Sequence, residues 1–428
     1  MGLSAGDVRF FRAKAVPFEA PPAVLPSRVL RLTLKRRPTM TPGLRVEPGA
    51  LLNEPVEHDP VGVACPISGR VDALVPWRLG EDRRFDLTIK PMEADARSSR
   101  VCVPPSGRDL DEWIVALGQT GPWPNYGLGG DLLDQLVLAR EARPRMVICL
   151  GLDGLASYPD RSSLLFGMPE SAAEGLGALK QICGAKVGKL VMDARLPVYR
   201  QLRQACRKRG VRAVGVENVY PSADPVMVVA EHGPRAAAGL RRRWLEHGQN
   251  PMRRGVLVVS PWVAIRLGRW IERGEVDLAR PAMVGWASPS EPMGTQWVFP
   301  GQRLATLAPA LTGRANDLHG RAVVGHPMTG RPIVAATGPE GPLPPTVPES
   351  DQLVCMVTQP VPTKAEPCIS CGWCASACPT KLRPVQLARQ VDRGIQPDAL
   401  RWCIDCGLCS HVCPTHLPLT QLLRAGRE

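Results

Sequence analysis

Eight cysteines near the C-terminal end have the type and spacing to hold metal. Cys368, Cys371, Cys374 and Cys378 precede Pro379, and the same pattern returns 35 residues later as Cys403, Cys406, Cys409, Cys413 and Pro414. C-x-x-C-x-x-C-x-x-x-C-P, present twice, is the bacterial two-cluster iron–sulfur spacing. Iron–sulfur cubanes take four thiolates each, three from one close triplet and the fourth from the other motif. The expected ligands are Cys368, Cys371, Cys374 and Cys413 for one 4Fe–4S cluster, and Cys403, Cys406, Cys409 and Cys378 for the other. The exchanged cysteines should hold the clusters close enough to pass electrons. Zinc favours two separated pairs per ion, which two identical triplets fit poorly. Disulfides need an oxidising compartment, and no export signal opens the sequence.

Six further cysteines, Cys65, Cys102, Cys149, Cys183, Cys206 and Cys355, show no ligand spacing, and most are expected to be small buried hydrophobes. His411 and His416 flank the second motif and are expected at the surface. The formal charge is +13. Two oxidised clusters would lower it by about 4. Such a surface suits an acidic carrier or an anionic membrane face. Aromatic residues make up only 5% and no recognition motif occurs, so no nucleic-acid partner is expected. No apolar run reaches bilayer length, because Pro261, Arg266 and Arg269 break the best one.

These ligands need a scaffold, and the chain reads as a multidomain α/β protein. Residues 1–40 are proline-rich and basic, an expected arm with one strand at 29–34. Residues 41–95 hold short strands around Pro and Gly. Their turns resemble those of the barrel-sandwich fold of biotinyl and lipoyl domains, although no lysine lies between Lys35 and Lys90 to carry a swinging arm. Residues 96–240 read as a Rossmann-like α/β domain, with strands at 146–150, 189–192 and 211–216 and amphipathic helices at 170–183 and 198–209. Residues 250–336 read as a β-grasp segment of the soluble-ligand-binding type, with a helix at 263–273. Residues 337–366, rich in proline, read as a linker with one strand at 353–357. Residues 367–428 form a helical dicluster ferredoxin module with helices at 384–393 and 419–424.

The order of these pieces resembles the C subunit of the Rnf complex, which couples ferredoxin and NAD at a membrane. The likeness is strongest in PCISCGWCASACP and WCIDCGLCSHVCPTHLPL. RGVLVVSPWVAIRLGRWIE and RAVVGHPMTG resemble two further stretches of that family. The resemblance implies an iron–sulfur electron-transfer subunit, peripheral on the cytoplasmic side of the cell membrane. Its implied partners are membrane subunits and a protein electron donor or acceptor. Members of that family hold FMN and meet NADH through a GLGGAGFPT loop and a GAECEP loop. Here the first loop keeps Gly127, Gly129 and Gly130 but continues with Asp131, a carboxylate where a phosphate would sit. The second keeps Gly151 and Asp153 but has Leu155 and Ala156 in place of an acid and a proline. Gly127, Gly129, Gly130 and Asp153 are therefore read as a vestigial site, and no FMN is expected. The competing readings are an NADH-oxidising flavoprotein, which would need that site intact, and a non-redox assembly scaffold.

Overall fold

A computed structural model describes residues 17–22, 24–26, 29–34, 36–53, 63–79, 82–92, 95–125, 130–154, 160–234, 250–286, 294–303, 322–324, 331–332, 337–338, 341–342, 354–357 and 364–427. At its centre is a parallel sheet of four strands. Val211–Val216, Val187–Asp193, Met146–Gly151 and Val256–Val259 lie side by side in that order. Met146–Gly151 is buried along its whole length, as a central parallel strand with both faces covered must be. The chain winds outward from this strand, then reverses to place Val256–Val259 on its other side. That reversal opens a crevice beyond the carboxyl ends of the strands.

The three strands expected here are present, each equal to or slightly longer than expected. The expected boundary at residue 240 is corrected. Val256–Val259 pairs in register with Met146–Cys149, and the helix Pro261–Arg273 packs on the helix Pro169–Ile182. The sequence pattern alone places both elements in the following segment. The wholly apolar strand needs a neighbour on a buried sheet, and this one offers it.

The two helices meet through glycine. A Cβ on Gly175 would overlap the Ala264 carbonyl oxygen, and one on Gly268 would overlap the Ser171 carbonyl oxygen. The backbones therefore approach as only residues without side chains permit. Ser260 caps the second helix through its hydroxyl, Pro261 occupies the first turn, and Gly274 ends it at φ 68°. Arg269 on that helix grips Asp277 with two bonds of 2.7 and 2.9 Å. Arg266 donates to the Asp277 carbonyl at 3.0 Å and lies over the Trp123 ring.

A second sheet, antiparallel, has the order Leu30–Leu34, Asp82–Pro91, Gly69–Leu79, Arg45–Val46. Leu30, Leu32 and Leu34 alternate inward and are fully buried. The expected arm thus contributes an integral strand, because a period-2 leucine row cannot stay in water. A third sheet has the order Gly294–Val298, Arg280–Trp286, Val354–Val357, Ala322–Val324, Arg331–Pro332. Val354–Val357, expected within a linker, is its central strand, parallel to one neighbour and antiparallel to the other. The linker reading is corrected accordingly. The basic stretch at 235–249 and the turn at 325–330 lie outside the described residues. Among the described residues, no helix is long and apolar enough to cross a membrane.

The glycine crossing yields a first prediction. Gly268→Ala should destabilise the α/β domain by about 1–3 kcal/mol, the cost of forcing a methyl group into a filled contact. Thermal unfolding followed by tryptophan fluorescence reads it as a lowered midpoint; an unchanged midpoint would show that the helices can separate freely.

Candidate iron–sulfur centre

The cysteine repeat is also a backbone repeat. Ser370, Gly372 and Lys381 have φ of 58°, 78° and 58°; Asp405, Gly407 and His416, each 35 positions on, have 60°, 79° and 54°. Left-handed turns at these points bend each loop around a concave face and aim N–H groups inward, the nest geometry that suits anionic sulfur. One short helix follows each turn, Trp373–Ser376 and Leu408–His411, and then a longer one, Pro384–Asp392 and Leu419–Ala425. The longer helices start and stop close to the sequence expectation. Leu382, Leu387, Leu400, Leu419 and Leu423 join them into one small core.

Four cysteines wall one cavity: Cys378 from the first motif, with Cys403, Cys406 and Cys409 from the second. The reciprocal group is also drawn together, with Cys371 and Cys413 both acting electrostatically on Cys374. Cys368 belongs to the same loop and accepts from the Ser370 N–H at 3.4 Å. Among the described residues, no three His, Cys, Asp or Glu side chains stand close enough to grip a single ion. A cubane is a larger body and sets its thiolates further apart. The donor set is all thiolate sulfur, which suits soft iron, and the shared wall draws on both motifs as the two-cluster spacing requires.

The sulfurs carry hydrogen-bond partners, also in repeat. Cys378 Sγ lies 3.4 Å from the Thr380 hydroxyl and 3.3 Å from the donating Leu382 N–H. Cys413 Sγ lies 3.3 Å from the Thr415 hydroxyl. Burial pushes the Cys413 thiol up, but the Thr415 hydroxyl and the N–H groups of Leu417, Thr415 and His416 outweigh it and leave it below its ordinary value. Cys409 is pushed up to about 11, chiefly by burial. The Cys-Pro-Thr triplet, present twice, was a readable signal for these threonines.

Other contacts had no such signal. The Tyr220 hydroxyl donates to the Cys406 carbonyl oxygen, joining the α/β domain to the second loop. Asp224, which caps the helix Pro225–His232, is buried nearby, and burial pushes it up to about 7. Asp405, inside the second motif, is held by Arg424 and Arg427, each at 2.7 Å. Ser370 occupies the matching place in the first motif.

Of the residues read as a vestigial nucleotide site, Gly130 and Asp153 are among those described. Gly127 and Gly129 lie outside the described residues, as do Leu155 and Ala156. Gly130 turns the chain at φ 104°. Asp131 caps the helix Leu132–Ala142, accepting from the N–H groups of Leu133 at 2.9 Å and Trp123 at 2.5 Å. The place where a phosphate would meet this helix N-terminus already holds the chain's own carboxylate. Asp153 accepts from the Arg161 N–H at 2.9 Å, the Ser162 N–H at 2.8 Å and the Ser162 hydroxyl at 2.7 Å. Burial and then the neighbouring Asp160 push its carboxyl up. Asp160 also lines the crevice at the sheet's reversal, beside Arg161 and Ser260.

Residues 367–417 match the family model of the 4Fe-4S dicluster domain. This segment is an iron–sulfur electron-transfer module. Two solved structures, both of NAD+-reducing [NiFe]-hydrogenase, are also similar to the chain. The H2-reduced state shows 15% identity and a TM-score of 0.42, covering 71% of this chain and 60% of that one. The air-oxidised state shows 16% identity and a TM-score of 0.43, covering 68% and 54%. The chain thus spans well under two thirds of either. No curated protein matches it.

Asp131 makes a pH prediction. Burial, opposed by the N–H groups of Leu133 and Trp123, pushes its carboxyl up to about 6, against 3.8 for the free side chain. Between these values the folded chain keeps a proton that the unfolded chain has released, so stability falls as pH rises from about 4 to about 6. Asp131→Asn cannot titrate and should lose that slope. Melting both proteins across this range should show a wild-type advantage that shrinks with rising pH; a constant difference would overturn the assignment.

Proposed function

We propose that this chain is an electron-transfer subunit relaying single electrons through two 4Fe–4S clusters, within an Rnf-like redox complex at a membrane. The observation that carries this reading is the cavity walled by cysteines from both halves of the repeat. One cluster would take Cys403, Cys406, Cys409 and Cys378, the other Cys368, Cys371, Cys374 and Cys413. When bound, such clusters supply reversible one-electron chemistry at potentials tuned by their surroundings. The protein's part is to hold the thiolates, donate to them from Thr380, Thr415 and Leu382 N–H, and wall off water with the leucine core. The three sheets then correspond to barrel-sandwich, Rossmann-like and β-grasp modules that support the dicluster module. The chain sits peripherally on the cytoplasmic face, held by membrane subunits, and exchanges electrons with a protein partner.

The same reading assigns no FMN or NADH to the α/β domain. Its support is the prior commitment of Asp131 and Asp153 to backbone N–H groups. Hydride chemistry would require a flavin to split the electron pair. Electrons would therefore arrive from a separate protein.

Two measurements test this. The anaerobically purified chain should contain about eight irons and eight acid-labile sulfides. Cys378→Ser should then disturb the cluster of Cys403, Cys406 and Cys409. Damage confined to the Cys368–Cys371–Cys374 cluster would reverse the ligand assignment, and two zincs without sulfide would sink the reading. Separately, the loaded protein mixed with FMN and excess NADH should keep its cluster absorbance, whereas dithionite should bleach it. Rapid bleaching by NADH would restore the NADH-oxidising flavoprotein alternative.

A further inference from the structure

The two motif loops have nearly the same sequence and backbone but opposite exposure. Ile404 is 7% exposed and Leu408 is fully buried, beside the Tyr220 contact. Their repeat partners Ile369 and Trp373 are 64% and 37% exposed. Cys371 is exposed, whereas its counterpart Cys406 is partly covered. A loop that needs its apolar residues buried in one copy leaves them in water in the other. An isolated exposed hydrophobe needs no explanation, but a pair beside an exposed candidate ligand marks a contact face.

The charges around this face are mostly positive. The Glu366 N–H donates to the Thr415 carbonyl, which seats the segment carrying exposed Lys364 beside Cys413. The Val385 N–H donates to Cys374, which places exposed Arg383 on another side. Glu366 is the acidic residue among them, and the whole chain carries +13. Two exposed apolar side chains, together with exposed Lys364 and Arg383, fit the surface of an acidic protein.

We infer that the exposed loop 368–374 is the docking face for a small acidic one-electron carrier protein, which exchanges electrons at the cluster of Cys368, Cys371, Cys374 and Cys413. This rests on the two-cluster reading above. The second cluster, under Tyr220, is the interior station. One electron would leave the reduced carrier and enter the oxidised cluster, with no bond formed or broken.

The test uses the full, cluster-loaded chain and a reduced, acidic 2Fe–2S ferredoxin as probe, mixed in stopped flow at low salt. Iron and sulfide content and dithionite bleaching are measured first on every variant, so loss of the clusters is seen separately from loss of docking. Ile369→Glu places a carboxylate on the face; Lys364→Glu and Arg383→Glu lie outside the cysteine loop and carry the test should Ile369→Glu fail to load. Each should slow electron transfer about tenfold, the scale of lost electrostatic steering. Val103→Glu, at a site 83% exposed on another part of the chain, should leave the rate unchanged. Equal slowing by all four, or by none, would overturn the inference. So would a change in the chain's own sedimentation with no change in rate, since the face would then join two copies of this chain.

Discussion

A space walled by sulfur from both halves of the repeat is the constraint on which the C-terminal module is built. Cys378 stands with Cys403, Cys406 and Cys409, so neither half can complete its own wall. The backbone must then curve twice in the same way, which the matched left-handed positions at Ser370 and Asp405, Gly372 and Gly407 achieve. The prolines after Cys378 and Cys413 turn the chain out of each loop. The leucines of the two longer helices close over the back. Such a module has little apolar core of its own, and a bound cluster would add the missing cohesion as metal sites do in small domains.

The local parts of this design were legible in the sequence. Ligand spacing, the helix after each motif and the parallel strands of the α/β domain are short-range patterns, and periodicity reports them directly. Pairing across distance was not legible. Leu30–Leu34 read as one strand in an arm until its partner Asp82–Pro91 was known. Val354–Val357 looked like an incident in a proline-rich linker, yet it is the middle strand of a sheet whose neighbours come from residues 280–286 and 322–324. Val256–Val259 carried its apolar signal plainly; what the sequence lacked was the order of strands that makes it the fourth. Tyr220 and the Arg424–Asp405–Arg427 group had no pattern, because a single tyrosine or a single ion pair has no period.

The altered turn at Gly130–Asp131 shows how one residue changes what a helix terminus offers. Free N–H groups at such an end attract anions. With Asp131 accepting from Leu133 and Trp123, the donors are spent inside the chain. Asp153 is spent likewise on Arg161 and Ser162. The sheet has the reversal that opens a crevice, and Asp131 and Asp153 act as internal fasteners. The fold itself does not decide what such a crevice binds, because the binding groups come from the loops around it.

The same logic, run the other way, separates the two cysteine loops. Equal sequence provides equal ligands, but cluster potentials respond to burial, charge and hydrogen bonds. The second loop has Asp405 balanced by two arginines and lies beside Tyr220. The first has neutral Ser370 and water. Two clusters held by one repeat would therefore differ in potential without differing in ligand type. On the relay reading, the first station would be open to a partner and the second sheltered by this chain.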